Sequence, residues 1–166
     1  MIILGIDPGI ATVGWGVVEY KNTRFSTLGY GAILTAAGLK VDDRLAQIYD
    51  KMTQIIKQFR PEEMAIEELF FNTNQKTAIT VAEARGVMLL CARHHALGIY
   101  EYTPLQVKQS VVGYGRAEKN QVIAMVTSLL HLTAPPRPDD TADALAIAVC
   151  HAHTGTSRLK AFYNLK

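Results

Sequence analysis

The segment that most constrains this chain is its first apolar run. Residues 2–7 read Ile-Ile-Leu-Gly-Ile-Asp, and Pro8-Gly9 follow at once. So short an apolar run, closed by turn residues, predicts a strand buried within a sheet. Aspartate before Pro-Gly is ordinary turn chemistry. Here, however, Asp7 closes a run too apolar for it to be an edge decoration.

Residues 13–20 alternate Val13, Trp15 and Val17 with small residues, Lys21-Asn22-Thr23 predicts a hairpin turn, and residues 25–34 supply a third strand. Leu45, Ile48, Met52, Ile55, Ile56 and Phe59 mark one helical face over residues 42–59, ended by Pro61. A strand over residues 63–69, a long helix over 76–97 stopped by Gly98, and a strand over 99–102 follow. Thr103-Pro104-Leu105-Gln106 has the form of a capping box with proline at the first helical position. Gly113-Tyr114-Gly115 breaks that helix, residues 119–131 form another, and a last helix spans about 140–153. This order predicts a single α/β domain over residues 1–154, a mixed sheet with helices on both faces. Residues 155–166 are expected to be a loosely ordered basic tail.

Composition serves mainly to exclude. A chain of 166 residues, 49% hydrophobic and 19% charged, is globular in character. No apolar stretch approaches the ~18 residues of a membrane span, and Met1-Ile2-Ile3-Leu4, meeting Asp7 at once, does not read as a signal peptide. Cys91 and Cys150 stand alone among apolar neighbours, as reduced core thiols of a cytoplasmic protein do. The net charge of +2 does not announce nucleic acid, and the basic excess lies in Arg158, Lys160 and Lys166.

The carboxylates carry the chemistry. If the strand over residues 63–69 runs parallel to the first, Asp7 and Glu67 emerge at one carboxyl edge, where open α/β sheets place their ligands. Asp143 shares a helix face with Asp140 at i,i+3 or with Asp139 at i,i+4. Acids from three separated segments repel around one point unless a divalent cation relieves them. Oxygen-only ligation suits Mg²⁺ or Mn²⁺, not zinc. Each acid also has a blander reading as turn, strand-end or helix-start chemistry. His94-His95 and His151-Ala152-His153 diverge around their helices and complete no tetrahedral set. No Walker A or dinucleotide fingerprint is present.

Taken together, Gly5-Ile6-Asp7-Pro8-Gly9 with Gly14, Ala65-Ile66-Glu67, Glu83-Ala84-Arg85-Gly86, Val107-Lys108, Ala117-Glu118-Lys119 and Asp140-Thr141-Ala142-Asp143-Ala144-Leu145-Ala146 resemble the RuvC-type Holliday-junction resolvases. These belong to the ribonuclease-H-like superfamily, and the likeness covers roughly residues 2–153. It implies a ribonuclease-H-like five-stranded sheet and a metal-dependent endonuclease that resolves four-way junctions by paired nicks. It further implies Asp7, Glu67, Asp140 and Asp143 as catalytic ligands of two Mg²⁺ or Mn²⁺ ions, with 5′-phosphate and 3′-hydroxyl products. The family spacing favours Asp140 over Asp139. The implied partners are junction DNA, a second copy of the chain through the helix of Ala78, Ala82 and Gly86, and a branch-migration motor.

Lys108, Arg116 and Lys119 bracket the glycine loop and suit a phosphate backbone. The resemblance assigns DNA contact to Lys108 and Lys119, and Arg85 and Lys76 are weaker candidates. It also points to Phe70 for stacking on an unpaired base, leaving Phe71 to the core. Two rivals remain: another ribonuclease-H-like enzyme, such as an RNA-processing nuclease, and a non-catalytic branched-DNA binding module. A sugar-kinase-like ATPase on this fold would need two such domains.

Overall fold

Strand β1 (Ile2–Asp7) sits at the centre of a five-stranded sheet of order β3-β2-β1-β4-β5. The computed structural model describes residues 1–69 and 75–155, with side chains from Ala78 onward in the helix that opens at Gln75. Strand β2 (Thr12–Lys21) runs antiparallel to β1 and pairs Gly14 with Asp7. Strand β3 (Arg24–Leu34) forms the antiparallel edge, reached through Asn22 and Thr23, both at positive φ. Strands β4 (Glu63–Glu67) and β5 (Gly98–Tyr102) add in parallel. The carboxyl ends of β1, β4 and β5 therefore lie along one edge.

Helices cover both faces, as the strand order requires of a sheet with parallel crossovers. Helix α1 (Val41–Phe59) buries Ile48, Met52, Ile55 and Ile56. With α2 (Gln75–His94) it packs over Leu4, Ile6, Met64 and Ile66. The other face, with Ile3, Val18 and Ala65, receives α3 (Pro104–Val112), α4 (Lys119–Leu129) and α5 (Asp139–Gly155). The capping box at Thr103 is present: its hydroxyl accepts the Gln106 N–H at 3.2 Å, and Gln106 Oε1 accepts the Thr103 N–H at 2.8 Å. Gly113, at φ 95°, ends that helix.

Helix α5 is the most deeply set element: from Thr141 to Ala152 every residue except Asp143 is buried. Two glycines explain its closeness to the sheet. A Cβ at Gly5 would overlap the Ala144 carbonyl oxygen, and one at Gly14 would overlap that of Asp140. Alanines at 142, 144, 146, 148 and 152 keep the helix thin on the remaining sides.

Several boundaries differ from the sequence reading. β4 stops at Glu67, not Leu69, because its last partner in β5 is Tyr102, whose carbonyl accepts the Glu68 N–H. Helix α2 stops at His94, and Ala96 (φ 60°) turns the chain before Gly98 opens β5. Helix α4 ends at Leu129, two residues before His131 at φ 50°. Helix α5 starts at Asp139 and includes Gly155, a residue earlier and two residues later than the expected span. The tail after Gly155 lies outside the described residues.

Candidate active site

Three segments bring acids to the carboxyl edge. Asp7 ends β1, Glu67 ends β4 one rung beyond the Ile6–Ile66 pair, and Asp140 and Asp143 lie in the first turns of α5. Gly14 is the hinge of this arrangement: it is the β2 partner of Asp7, and its missing side chain admits the Asp140 backbone.

The electrostatics show how tightly the acids are held. Burial pushes the Asp7 carboxyl up to about 8, helped by the charges of Asp143, Glu67 and Asp140 and opposed by Lys119. Glu67 is raised by burial and by Asp143, against the pull of Lys108. Asp143 is raised by burial even though Lys119 pairs with it at 3.2 Å. Burial works against the Lys119 ammonium, but Asp143, Asp139 and Asp140 outweigh it and hold the proton more firmly than usual. Burial is the largest cause for all three carboxyls, and repulsion from neighbouring acids adds to it.

Glu67 and Asp143 face a cavity of about 200 Å³, with Lys108 and Lys119 on its walls and Val107 and Ile147 among its apolar lining. Among the described residues no three carboxylate, imidazole or thiolate groups already close on one point as a finished metal cage. The donor set still fits a hard divalent cation. It is oxygen-only, and positive charge placed among the acids would relieve the part of the Asp7 displacement that comes from Asp143, Glu67 and Asp140.

The structure separates the two neighbouring aspartates. Asp139 accepts from Arg137 at 2.9 Å and lies 3.6 Å from Lys119. Asp140, not Asp139, adds to the field that raises Asp7. Among the basic candidates, Lys108 and Lys119 line the cavity, and Arg116 is exposed on the loop between α3 and α4. Arg85 is turned inward: its Nε donates to the Glu67 carbonyl oxygen at 3.2 Å, and its guanidinium pairs with Glu101. It braces the end of β4 and is not held out towards solvent. Phe70 and Phe71 lie outside the described residues, as does the side chain of Lys76. His94 accepts or donates to Tyr49 at 2.8 Å, and His151 is buried in the core. Both cysteines are free and buried.

Sequence reasoning missed two contacts here, the Lys119–Asp143 pair and the Arg85 brace. Each joins residues far apart in the chain, and only the family motifs, which contain all four residues, drew attention to them.

The chain is similar to known proteins over nearly its whole length. The family profile described as Crossover junction endodeoxyribonuclease RuvC matches residues 3–151. A crossover junction endodeoxyribonuclease RuvC from Alkaliphilus oremlandii is 58% identical over 155 residues, covering 93% of this chain and 94% of the relative. The structure of Thermus thermophilus RuvC superposes with a TM-score of 0.87 at 37% identity, covering 93% of this chain and 95% of that one. A structure of T. thermophilus RuvC in complex with Holliday junction substrate gives 0.86 at 35% identity, with the same coverage.

Proposed function

As a member of the RuvC family of crossover junction endodeoxyribonucleases, the chain is a metal-dependent nuclease that resolves Holliday junctions in DNA recombination and repair, and we propose that Asp7, Glu67, Asp140 and Asp143 form its catalytic centre. The observation that carries this assignment is the meeting of Asp7 at the end of β1, Glu67 at the end of the parallel strand β4, and Asp140 and Asp143 in the first turns of α5. Such a site disfavours phosphate until a cation enters. Two Mg²⁺ or Mn²⁺ ions held there would polarise the scissile phosphate and make water nucleophilic at neutral pH.

The chain's own residues then divide the work. Asp7 and Glu67 stand on rigid strand ends, and Asp140 and Asp143 on a helix sunk into the sheet, so little reorganisation accompanies binding. Lys108 and Lys119, on the cavity wall, and Arg116, on the exposed loop, follow the DNA backbone. Phe70 follows Glu67 by three residues and stacks on a base unpaired at the crossover. The products carry 5′-phosphate and 3′-hydroxyl ends.

Paired nicks on symmetry-related strands require two sites, and a homodimer supplies them. Helix α2 supports this: Ile79, Ala82, Gly86 and Leu90 form a stripe left exposed by the described residues. The dimer acts on the junction together with a branch-migration motor, in the cytoplasm. Among the described residues no helix is long and apolar enough to cross a membrane.

The test is cleavage of four-way junction, linear duplex and RNA–DNA hybrid, each with and without Mg²⁺. Paired nicks in the junction alone, and only with Mg²⁺, are expected. Preferred cutting of the hybrid would reassign the chain to RNA processing.

A further inference from the structure

One polar cluster in the core plays no part in the site described above. His151 on α5 is fully buried. Its Nε2 lies 2.6 Å from Glu63 Oε2 on β4, and its Nδ1 lies 2.7 Å from the Tyr102 hydroxyl on β5. Tyr100 completes the cluster, its ring centroid 4.4 Å from that of His151 and its hydroxyl donating to Glu63 Oε1 at 3.3 Å. An ionised carboxylate only accepts, so Nε2 carries the proton, and in the neutral ring Nδ1 accepts from Tyr102.

The spacing of this cluster matches that of the acids. Glu63, Ala65 and Glu67 alternate onto one face of β4, and Ala65 packs in the same cluster as the core of α5. Glu67 stands four strand residues beyond Glu63, about 13 Å. Asp143 stands eight helix residues before His151, about 12 Å. α5 runs antiparallel to β4, so the register that joins His151 to Glu63 also brings Asp143 opposite Glu67. Tyr102, the second partner of His151, is the ladder partner of Glu67 itself.

We propose that His151 is a positioning residue, pinning α5 to β4 and β5 through Glu63 and Tyr102 so that Asp143 faces Glu67 across the cavity. The glycine seats at Gly5 and Gly14 set how closely α5 approaches β1 and β2, and its neighbouring Ala144, Ala148 and Ala152 add contacts without direction. Towards β4 and β5 the directional contacts of His151 are its hydrogen bonds, which a shift of one residue, ~1.5 Å along the helix, would break. A fully bonded buried polar group thus selects one alignment. This inference rests on the reading of Glu67 and Asp143 as metal ligands.

The experiment measures Mn²⁺ binding by electron paramagnetic resonance, metal-free junction affinity, thermal stability and cleavage on one set of variants. His151→Leu is expected to bind junction within about twofold of the parent. Its Mn²⁺ affinity should fall about tenfold, and its cleavage at fixed subsaturating Mg²⁺ should fall at least as far. Glu63→Gln, whose amide oxygen still accepts from Nε2, should keep both within about threefold. Val149→Ala provides a buried α5 control that loses packing but no hydrogen bond. If it loses Mn²⁺ affinity to the same extent at matched stability, the role is structural and the proposal falls. Unchanged Mn²⁺ binding and cleavage in His151→Leu also overturn it. Should His151→Leu fail to fold, Tyr102→Phe removes the hydroxyl that meets His151 Nδ1 at nearly constant volume. It should weaken Mn²⁺ binding about threefold, and no change would sink the proposal. Asp143→Asn keeps the two readings apart: if it retains Mn²⁺ binding and cutting, the ligand assignment fails, whatever His151 does.

Discussion

At the scale of single residues, Asp7 is the site carboxyl most strongly displaced from its ordinary range. Its folded carboxyl titrates at about 8, against 3.8 for the ordinary group. The folded protein therefore holds a proton that the unfolded chain has released between those values. Stability contributed by that proton is full below about pH 4 and is lost as pH rises through about 8. Metal-free protein should unfold more readily at pH 8.5 than at pH 5.5. Asp7→Asn should flatten this part of the slope and gain on the order of 2 kcal/mol at neutral pH, measured by denaturant titration. The same substitution, like Glu67→Gln or Asp143→Asn, should abolish cutting while junction affinity in gel shifts is kept or improved. Asp140→His should retain partial activity with Mn²⁺, since imidazole still ligates that ion. Among the cations, Lys119 is already paired with Asp143 and lies near Asp139, whereas Lys108 lies closer to Glu67 alone. If each neutralises one phosphate on binding, replacing either by Met should lower the slope of log affinity against log salt by about 0.9. Parallel plots for parent and variants would remove both from the interface.

At the scale of elements, the site depends on how close α5 lies to β1 and β2. Gly14→Ala would drive a methyl group into the Asp140 carbonyl, and backbone cannot swing aside as a side-chain tip can. We expect a loss of about 2–4 kcal/mol or more of stability and loss of cutting even at temperatures where the variant stays folded, read by calorimetry and nicking together. The same scale shows what the sequence can and cannot reveal. Strand β1 and the box at Thr103 were legible because their signals are local: an apolar run with turn residues, and a cap three residues from its partner. The four proposed site acids could be picked out through their motifs, and the shared edge of Asp7 and Glu67 was legible through the parallel pairing of β1 with β4. Element ends were less so. Ala96 takes the left-handed turn that the sequence suggests for Gly98, and Glu118, an unusual N-cap residue, begins α4 through a reciprocal pair with Gln121. The pair of Glu63 and His151 has no local signature at all, because 88 residues separate them.

At the scale of the whole molecule, the exposed stripe on α2 should decide whether nicks come in pairs. Ile79 is 66% exposed and Leu90 50% exposed in the single chain. Ile79→Asp combined with Leu90→Asp would place charge in the middle of any helix pair formed there. In sedimentation this variant should shift to monomer, and junction cleavage should yield single nicks in place of resolved duplexes. Dimers that persist would place the two-fold axis elsewhere. The deep seat of α5 has one further consequence, and it concerns synthesis. Chains emerge amino end first, at about 5–20 residues per second. Asp7 and Glu67 are thus made well before residues 139–155, and β1 and β2 lack their cover on that face until α5 docks. On the proposed assignment, a chain that has not yet completed α5 holds two of the four acids, Asp7 and Glu67. Cutting is therefore expected only after the last helix has left the ribosome and folded.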